Sequence, residues 1–283
     1  MTELKIGERS VLIPSSWDEM SAKQVRFIYR LYQKCVKKGL SPLEFSIRAL
    51  YYLLNVKRGG KKCDAELAER VFLLTEQCTG FLLDDSGSAL RLSFNSVTNP
   101  MPSIGLRRGP GELCRNLTFG EFRHAAMAVK SFSATKDRRD LDECLAILYR
   151  LSFGRSNKAG RRCAPLGGTL FRFDLWLTRR MPQWRKHLAL AWFCNVLSYL
   201  QSGTVIIDGE EVDMRQLFSS GGSSSSGPAC GWNDLLIQLA KDGTIGNIDA
   251  VDAEPLMSIL QIMWSNYKEF KRYEASTKTG KSH

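Results

Sequence analysis

Helix-start signals recur along this chain, and each is followed by apolar residues spaced three and four apart. Ser21-Ala22-Lys23-Gln24 has the form of a capping box, in which the side chains at its two ends satisfy each other's backbone N–H groups. Val25, Ile28, Tyr29, Tyr32 and Val36 then fall on one helical face, and Gly39 supplies a left-handed stop. A helix over about 22–38 follows. Ser41-Pro42-Leu43-Glu44 repeats the device with proline in the first helical position, opening a helix over 42–55. Asp64 caps a third, over 65–78. Thr118-Phe119-Gly120-Glu121 is a second capping box and starts a helix through about 133, with an antiparallel partner over 139–152. Residues 182–201 are apolar enough for a central core helix, and two more helices are expected over 232–240 and 253–275. A chain written this way is restricted to a mainly α fold.

The β content is confined to insertions. Phe81-Leu82-Leu83 and Leu90-Arg91-Leu92-Ser93-Phe94 flank Asp85-Ser86-Gly87, a turn between two short strands. Asp208-Gly209 lies between Val205-Ile206-Ile207 and Glu210-Glu211-Val212, the pattern of a tight hairpin. Asn99-Pro100-Met101-Pro102 and Gly109-Pro110-Gly111 form a loop and the first candidate boundary. Gly221-Gly222-Ser223-Ser224-Ser225-Ser226-Gly227 is a flexible linker by composition. The expected organisation is a helical bundle with small β-hairpin insertions. It comprises an N-terminal helical region with a hairpin (1–104), a basic central helical region (105–218), a Ser/Gly linker (219–230), and a C-terminal helical pair whose tail frays from Ser276 (231–283).

Charge is placed unevenly on this scaffold. The formal net charge is +11 over 283 residues. Residues 1–104 carry 15 Lys/Arg and 11 Asp/Glu, residues 105–190 carry 18 and 7, and residues 191–283 carry 7 and 11, giving balances of +4, +11 and −4. The middle segment therefore holds the equivalent of the whole net charge. Such asymmetry suits an acidic partner or a charged assembly surface, but solvated helix faces routinely carry Lys and Arg, and a solubility surface or protein contact is favoured over a polyanion site. Candidate contacts to a polyanion or a partner protein are Arg107 and Arg108; Lys136, Arg138 and Arg139; the loop residues Arg155, Lys158, Arg161 and Arg162; and Arg179, Arg180, Arg185 and Lys186. Phe171, Phe173, Trp176 and Trp184 are interleaved with them, as in single-strand binders. Their spacing also suits a buried face, and core is the role expected of them. No helix-turn-helix, zinc-finger or RNA-recognition signature accompanies the charge.

Catalytic motifs fail on context. Ala275-Ser276-Thr277-Lys278-Thr279-Gly280-Lys281-Ser282 fits a relaxed Walker A string, but a P-loop needs a strand before it and a helix after it, and here a helix precedes it. Of three histidines, His124 and His187 sit in expected helices beside Arg123 and Lys186, and His283 closes the chain. The carboxylate pairs Asp84-Asp85 and Glu210-Glu211, and the group Asp140, Asp142 and Glu143, fall on turns or helix starts, where acidic residues meet the helix dipole favourably. Eight cysteines are scattered with no C-x-x-C pair, so they are expected to be reduced thiols, with Cys194 a small buried hydrophobe in an apolar helix. No catalytic, cofactor-binding or metal-binding residue is assigned, and the protein is expected to be non-enzymatic. With no long apolar run and a polar N-terminus, it is expected to be soluble and cytoplasmic.

Two groups of segments resemble a known kind of protein. Leu117-Thr118-Phe119-Gly120-Glu121-Phe122, followed by Asp140-Leu141 and Leu145-Ala146-Ile147-Leu148-Tyr149-Arg150, resembles helical proteins encoded beside tail genes in prophages. Ile13 through Ser21, Trp232-Asn233-Asp234-Leu235-Leu236 and Gly243-Thr244-Ile245-Gly246 are similar to the same group. The resemblance covers about a quarter of the chain. It implies a non-enzymatic role in phage tail assembly, for example as a chaperone that holds the tape-measure protein. The chain departs from the usual short tail chaperones in its length, its basic loop and its Ser-Gly linker. A phage tail protein is thus the first expected partner and a nucleic acid the second.

Overall fold

The computed structural model describes residues 1–6, 9–55, 65–84, 90–153, 156–161, 163, 165–219 and 228–279. The fold is mainly α with small antiparallel sheets. It divides into two compact units, one formed by residues 1–101 and 181–192, the other by residues 102–180 and 193–283.

The first unit opens with a hairpin, β1 (Thr2–Ile6) against β2 (Arg9–Ile13), in the register Thr2 to Ile13 through Ile6 to Arg9. The chain then enters α1 (Ala22–Lys38), where the Ser21 and Gln24 side chains cap reciprocally and Gly39 closes the helix at φ 62°. Only a residue without a Cβ adopts that conformation at little cost. Helix α2 (Pro42–Leu53) starts on the Ser41 cap, and α3 (Ala65–Thr79) packs against it. A short 3-10 turn (Gly80–Leu82) leads into the expected pairing around Leu83 and Leu92. Asp84 N–H donates to the Arg91 carbonyl at 3.1 Å and Ser93 N–H to Leu82 at 3.1 Å. The connecting residues 85–89 lie outside the described set. Trp17 centres this core, edge-on to Phe94 at 5.0 Å and to Phe81 at 6.1 Å. Such crossed ring pairs add to the area they bury.

The second unit begins with a three-stranded sheet, β3 (Ser103–Ile104), β4 (Arg107–Arg108) and, later in the chain, β5 (Arg150–Leu151), in the order β3-β4-β5. After a 3-10 turn (Glu112–Cys114), the Thr118/Glu121 capping box opens α4 (Phe119–Thr135). Lys136 at φ 57° ends it and Asp137 caps α5 (Arg138–Leu148). Helix α6 (Thr169–Arg179) follows, and α7 (Gln183–Ser202) contributes to the first unit through Trp192 and to the second from Phe193 on. Strands β6 (Thr204–Ile207) and β7 (Glu210–Asp213) form the expected hairpin, with Asp208 and Gly209 both at positive φ, the mark of a two-residue primed turn. Helices α8 (Arg215–Ser219), α9 (Pro228–Asp242), α10 (Ile248–Ala253) and α11 (Leu256–Thr279) complete the chain. The linker residues 220–227 lie outside the described set.

Helix α4 is the hub of this unit, packed by α5, α9, α10 and α11. Trp232 of α9 is fully buried and meets Phe122 at 4.9 Å, Phe218 at 4.9 Å and Phe119 at 6.3 Å. Arg123 forks onto Asp252, with Nη2 to Oδ2 at 2.6 Å and Nε to Oδ1 at 3.2 Å, and Nη1 donates to Asn233 at 3.0 Å. An antiparallel bridge joins Thr118 to Pro255, with Phe119 N–H donating to Glu254 at 2.8 Å. The C-terminal helices are thus built into the same core as the central segment, not hung beside it.

Candidate partner-binding surface

Burying an arginine requires a partner for its charge and its five N–H groups. The second unit buries four: Arg123, held by Asp252 and Asn233 as above, and Arg107, Arg150 and Arg161. Arg150, with its side chain fully enclosed, donates from Nε to Asp174 Oδ2 at 3.0 Å and lies 3.9 Å from Glu121 Oε1. Asp174 Oδ1 also accepts the backbone N–H of Leu151 at 3.0 Å, fixing α6 to β5. Arg107 Nη1 donates to Thr178 Oγ1 at 2.6 Å, and that hydroxyl donates to the Asp174 carbonyl. Arg161 donates to the carbonyls of Ile147, Leu148 and Arg108, stitching the loop to the end of α5 and to β4.

This cluster joins elements. Its one thiol, Cys163, donates to Glu121 Oε1 at 3.2 Å, and burial together with the neighbouring Glu121 pushes its pKa up to about 11. A thiol in that state is protonated near neutral pH and is a poor nucleophile. Desolvation and the adjacent Arg123 push the pKa of His124 below the ordinary histidine value. Among the described residues no group of three His, Cys, Asp or Glu side chains is placed to hold a metal ion. Ala275–Thr279, the first half of the Walker-like string, continue α11 as helix beyond the expected fraying at Ser276, and residues 280–283 lie outside the described set.

The basic residues that the sequence singles out differ in burial. Arg107 and Arg161 are buried as above, and Lys186 is buried in the first unit. Arg185, also in the first unit, lies half-buried with its guanidinium 5.2 Å from the Trp184 ring. Lys158 pairs with Glu254. Lys136, Arg138 and Arg139 are exposed at the turn between α4 and α5, Arg108 is exposed on β4, and Arg179 and Arg180 are exposed at the end of α6. Arg155 and Arg162 lie outside the described residues. Cys35, Cys78, Cys114, Cys144, Cys163 and Cys194 are free thiols, and Cys194 is exposed, where the apolar run around it predicts burial.

The aromatic residues among these cations divide in a way the sequence did not indicate. Trp184 is buried and Phe171 half-buried, over the Arg150 guanidinium at 5.1 Å. Phe173 and Trp176, expected in a core, are instead 46% and 45% exposed. They stack on each other, centroids 5.4 Å apart and planes 15° apart, and Arg180 lies 3.6 Å over the Trp176 ring. Because Asp174 and Thr178 turn inward to the sheet, helical geometry turns Arg172, Trp176, Arg179 and Arg180 outward, with Phe173 beside them. Arg172 was not among the residues chosen from the sequence. The signal that could have found this face is the position of Asp174, the one carboxylate in the helix, which marks the inward side.

No protein-family model matches the chain, and no curated protein and no solved structure matches it. Among the described residues no helix is long and apolar enough to cross a membrane.

Proposed function

We propose that the protein is a non-enzymatic, cytoplasmic binding protein that acts in assembly of a phage or prophage tail, engaging a partner protein through an exposed helical face. The observation that carries the binding role is the pair Phe173 and Trp176, held in solvent between arginines on α6. Adjacent exposed aromatics are costly to leave in water, and Trp and Arg are the residue types that dominate protein interfaces. The tail-assembly role rests on the resemblance. Two of its segments, Leu117–Phe122 and Trp232–Leu236, meet around Trp232 in the core, so they support the reading as scaffold and not as a contact surface. Co-expression with the neighbouring genes followed by affinity capture is the test. Recovery of a tail protein in fixed proportion is expected; a monomeric protein that captures none overturns the reading.

Nucleic-acid binding through residues 105–190 is the second reading, favoured by the exposed trio Lys136, Arg138 and Arg139. The buried Arg107 and Arg161 already serve internal acceptors, which reduces the charge offered to a phosphate backbone. Binding of this kind weakens steeply with salt. Absence of any shift of DNA or RNA at low ionic strength excludes it.

A further inference from the structure

The outward face of α6 has a chemistry more specific than exposed apolar area. The helix's only carboxylate, Asp174, is buried against Arg150, so α6 and its cap bring Arg172, Arg179 and Arg180 to this face and no acidic side chain of their own. The face is also rigid. Asp174 accepts from the Leu151 backbone, Thr178 accepts from Arg107, and both bonds are buried. A surface held this way loses little conformational freedom on binding, which is the condition for a strong contact from a few residues.

The arrangement of the rings selects between acidic ligands. Phe173 lies one turn before Trp176 and stacks with it, and Arg180, one turn after it, covers a face of the indole. A nucleotide base needs an open ring face to stack, and the indole, stacked with Phe173 and covered by Arg180, offers less of one than a free ring does. What remains available is the indole edge, the far face of Phe173, and the N–H edge of the Arg180 guanidinium. Arg180 Nη1 also reaches the Trp176 carbonyl at 3.4 Å, so the side chain is already ordered. A guanidinium fixed flat on a ring presents a fork that matches a carboxylate.

From this face we infer that α6 is the docking site for a partner's peptide segment in which carboxylates flank an aromatic or large aliphatic residue. The apolar residue packs against Phe173 and the indole edge, and the carboxylates pair with Arg172 and Arg180. This inference rests on the reading of the chain as a binding protein and names the chemistry of what it binds.

Fluorescence anisotropy with three labelled probes tests it: a random glutamate–tyrosine copolymer, polyglutamate, and an oligothymidylate. The full chain is expected to bind the copolymer more tightly than either of the others. Trp176→Ala and Arg180→Glu are each expected to weaken copolymer binding about tenfold or more. Arg138→Glu, at the α4–α5 turn, is expected to leave it within about twofold. Both α6 side chains lie in solvent, and unchanged thermal melts establish that the variants fold; Arg172→Glu stands in if either fails. Equal copolymer affinity in wild type, Trp176→Ala and Arg180→Glu overturns the inference, as does absence of copolymer binding by the wild type. Tighter oligothymidylate binding that is lost in the same variants assigns the face to nucleic acid. A tail protein captured equally well by the Trp176→Ala/Arg180→Glu double variant removes α6 from the interaction and leaves the binding-protein reading standing. Failure of the wild type to capture any removes that reading instead.

Discussion

At Gly120 a hydrogen is the whole side chain, and the packing of two helices depends on it. A Cβ built there would sit 2.9 Å from Asp252 Cβ and 3.0 Å from both Asp252 Cγ and its carbonyl oxygen. In an unconstrained helix, exchange of glycine for alanine stabilises by about 0.5–1 kcal/mol. Here the backbone of α10 must move, and Asp252 is held in place by Arg123. Gly120→Ala is expected to destabilise by about 1–3 kcal/mol, read as a lower urea midpoint at unchanged slope. Cys163 gives a prediction in pH. The fold raises its pKa from 9.0 to about 11, so the native state holds the proton more tightly than the unfolded chain does. Its contribution is therefore complete below about pH 9 and is lost as pH rises from about 9 to 11. Cys163→Ser keeps a donor for Glu121 without a thiol to ionise. Its urea midpoint is expected to fall less than that of the wild type across that interval, and parallel falls in the two proteins would remove Cys163 as the cause.

Elements with a local start signal were legible, and elements fixed by distant partners were not. Ser21/Gln24 and Thr118/Glu121 set two helix starts from within four residues each, and both capping boxes form as the sequence indicates. Asp208-Gly209 likewise determines its hairpin locally. Helix α6 has no such mark. It begins at Gly168, which offers no side-chain cap, and Leu170, Phe171, Phe173, Leu175 and Leu177 nearly alternate, as a strand would. What makes it a helix is tertiary. Asp174 and Thr178 must reach Arg150 and Arg107 together, and a helix sets them one turn apart on one side, where a strand would separate them by about 13 Å. Asp174→Ala is accordingly expected to cost about 3–5 kcal/mol, because Arg150 is left charged in an enclosed site. Asp174→Asn, which can still accept one hydrogen bond, is expected to cost less. Denaturation midpoints in which Asp174→Ala matches the wild type would show that α6 is held by its apolar contacts alone.

Across the whole chain, composition and contact point in different directions at the C-terminus. A Ser/Gly run and a change in charge sign mark residues from 231 on as an appended pair of helices. Yet Trp232, Val251, Leu256, Ile259 and Leu260 are completely buried, and the helices that carry them pack on α4, where Trp232 meets Phe119 and Phe122 and Asp252 holds Arg123. The linker's composition reports how the connection is made and carries no information on where the connected helices pack. The same limit explains the charge. The +11 suggests one surface, but burial divides it into internal braces at Arg107, Arg123, Arg150 and Arg161 and cations left exposed. A chain ending at Ser219 tests the packing directly. Its α4 would expose two large rings to water and leave Arg123 without Asp252, and Trp→Ala-sized losses alone run to about 3–5 kcal/mol. Since whole domains are stable by about 5–15 kcal/mol, the truncated protein is expected to lose cooperative unfolding in its second unit. Tryptophan fluorescence and far-UV circular dichroism during urea titration read this out. A single sharp transition in the truncated chain at the full-length midpoint would mean that the C-terminal helices are an appendage after all, and that α4 finds its stability without them.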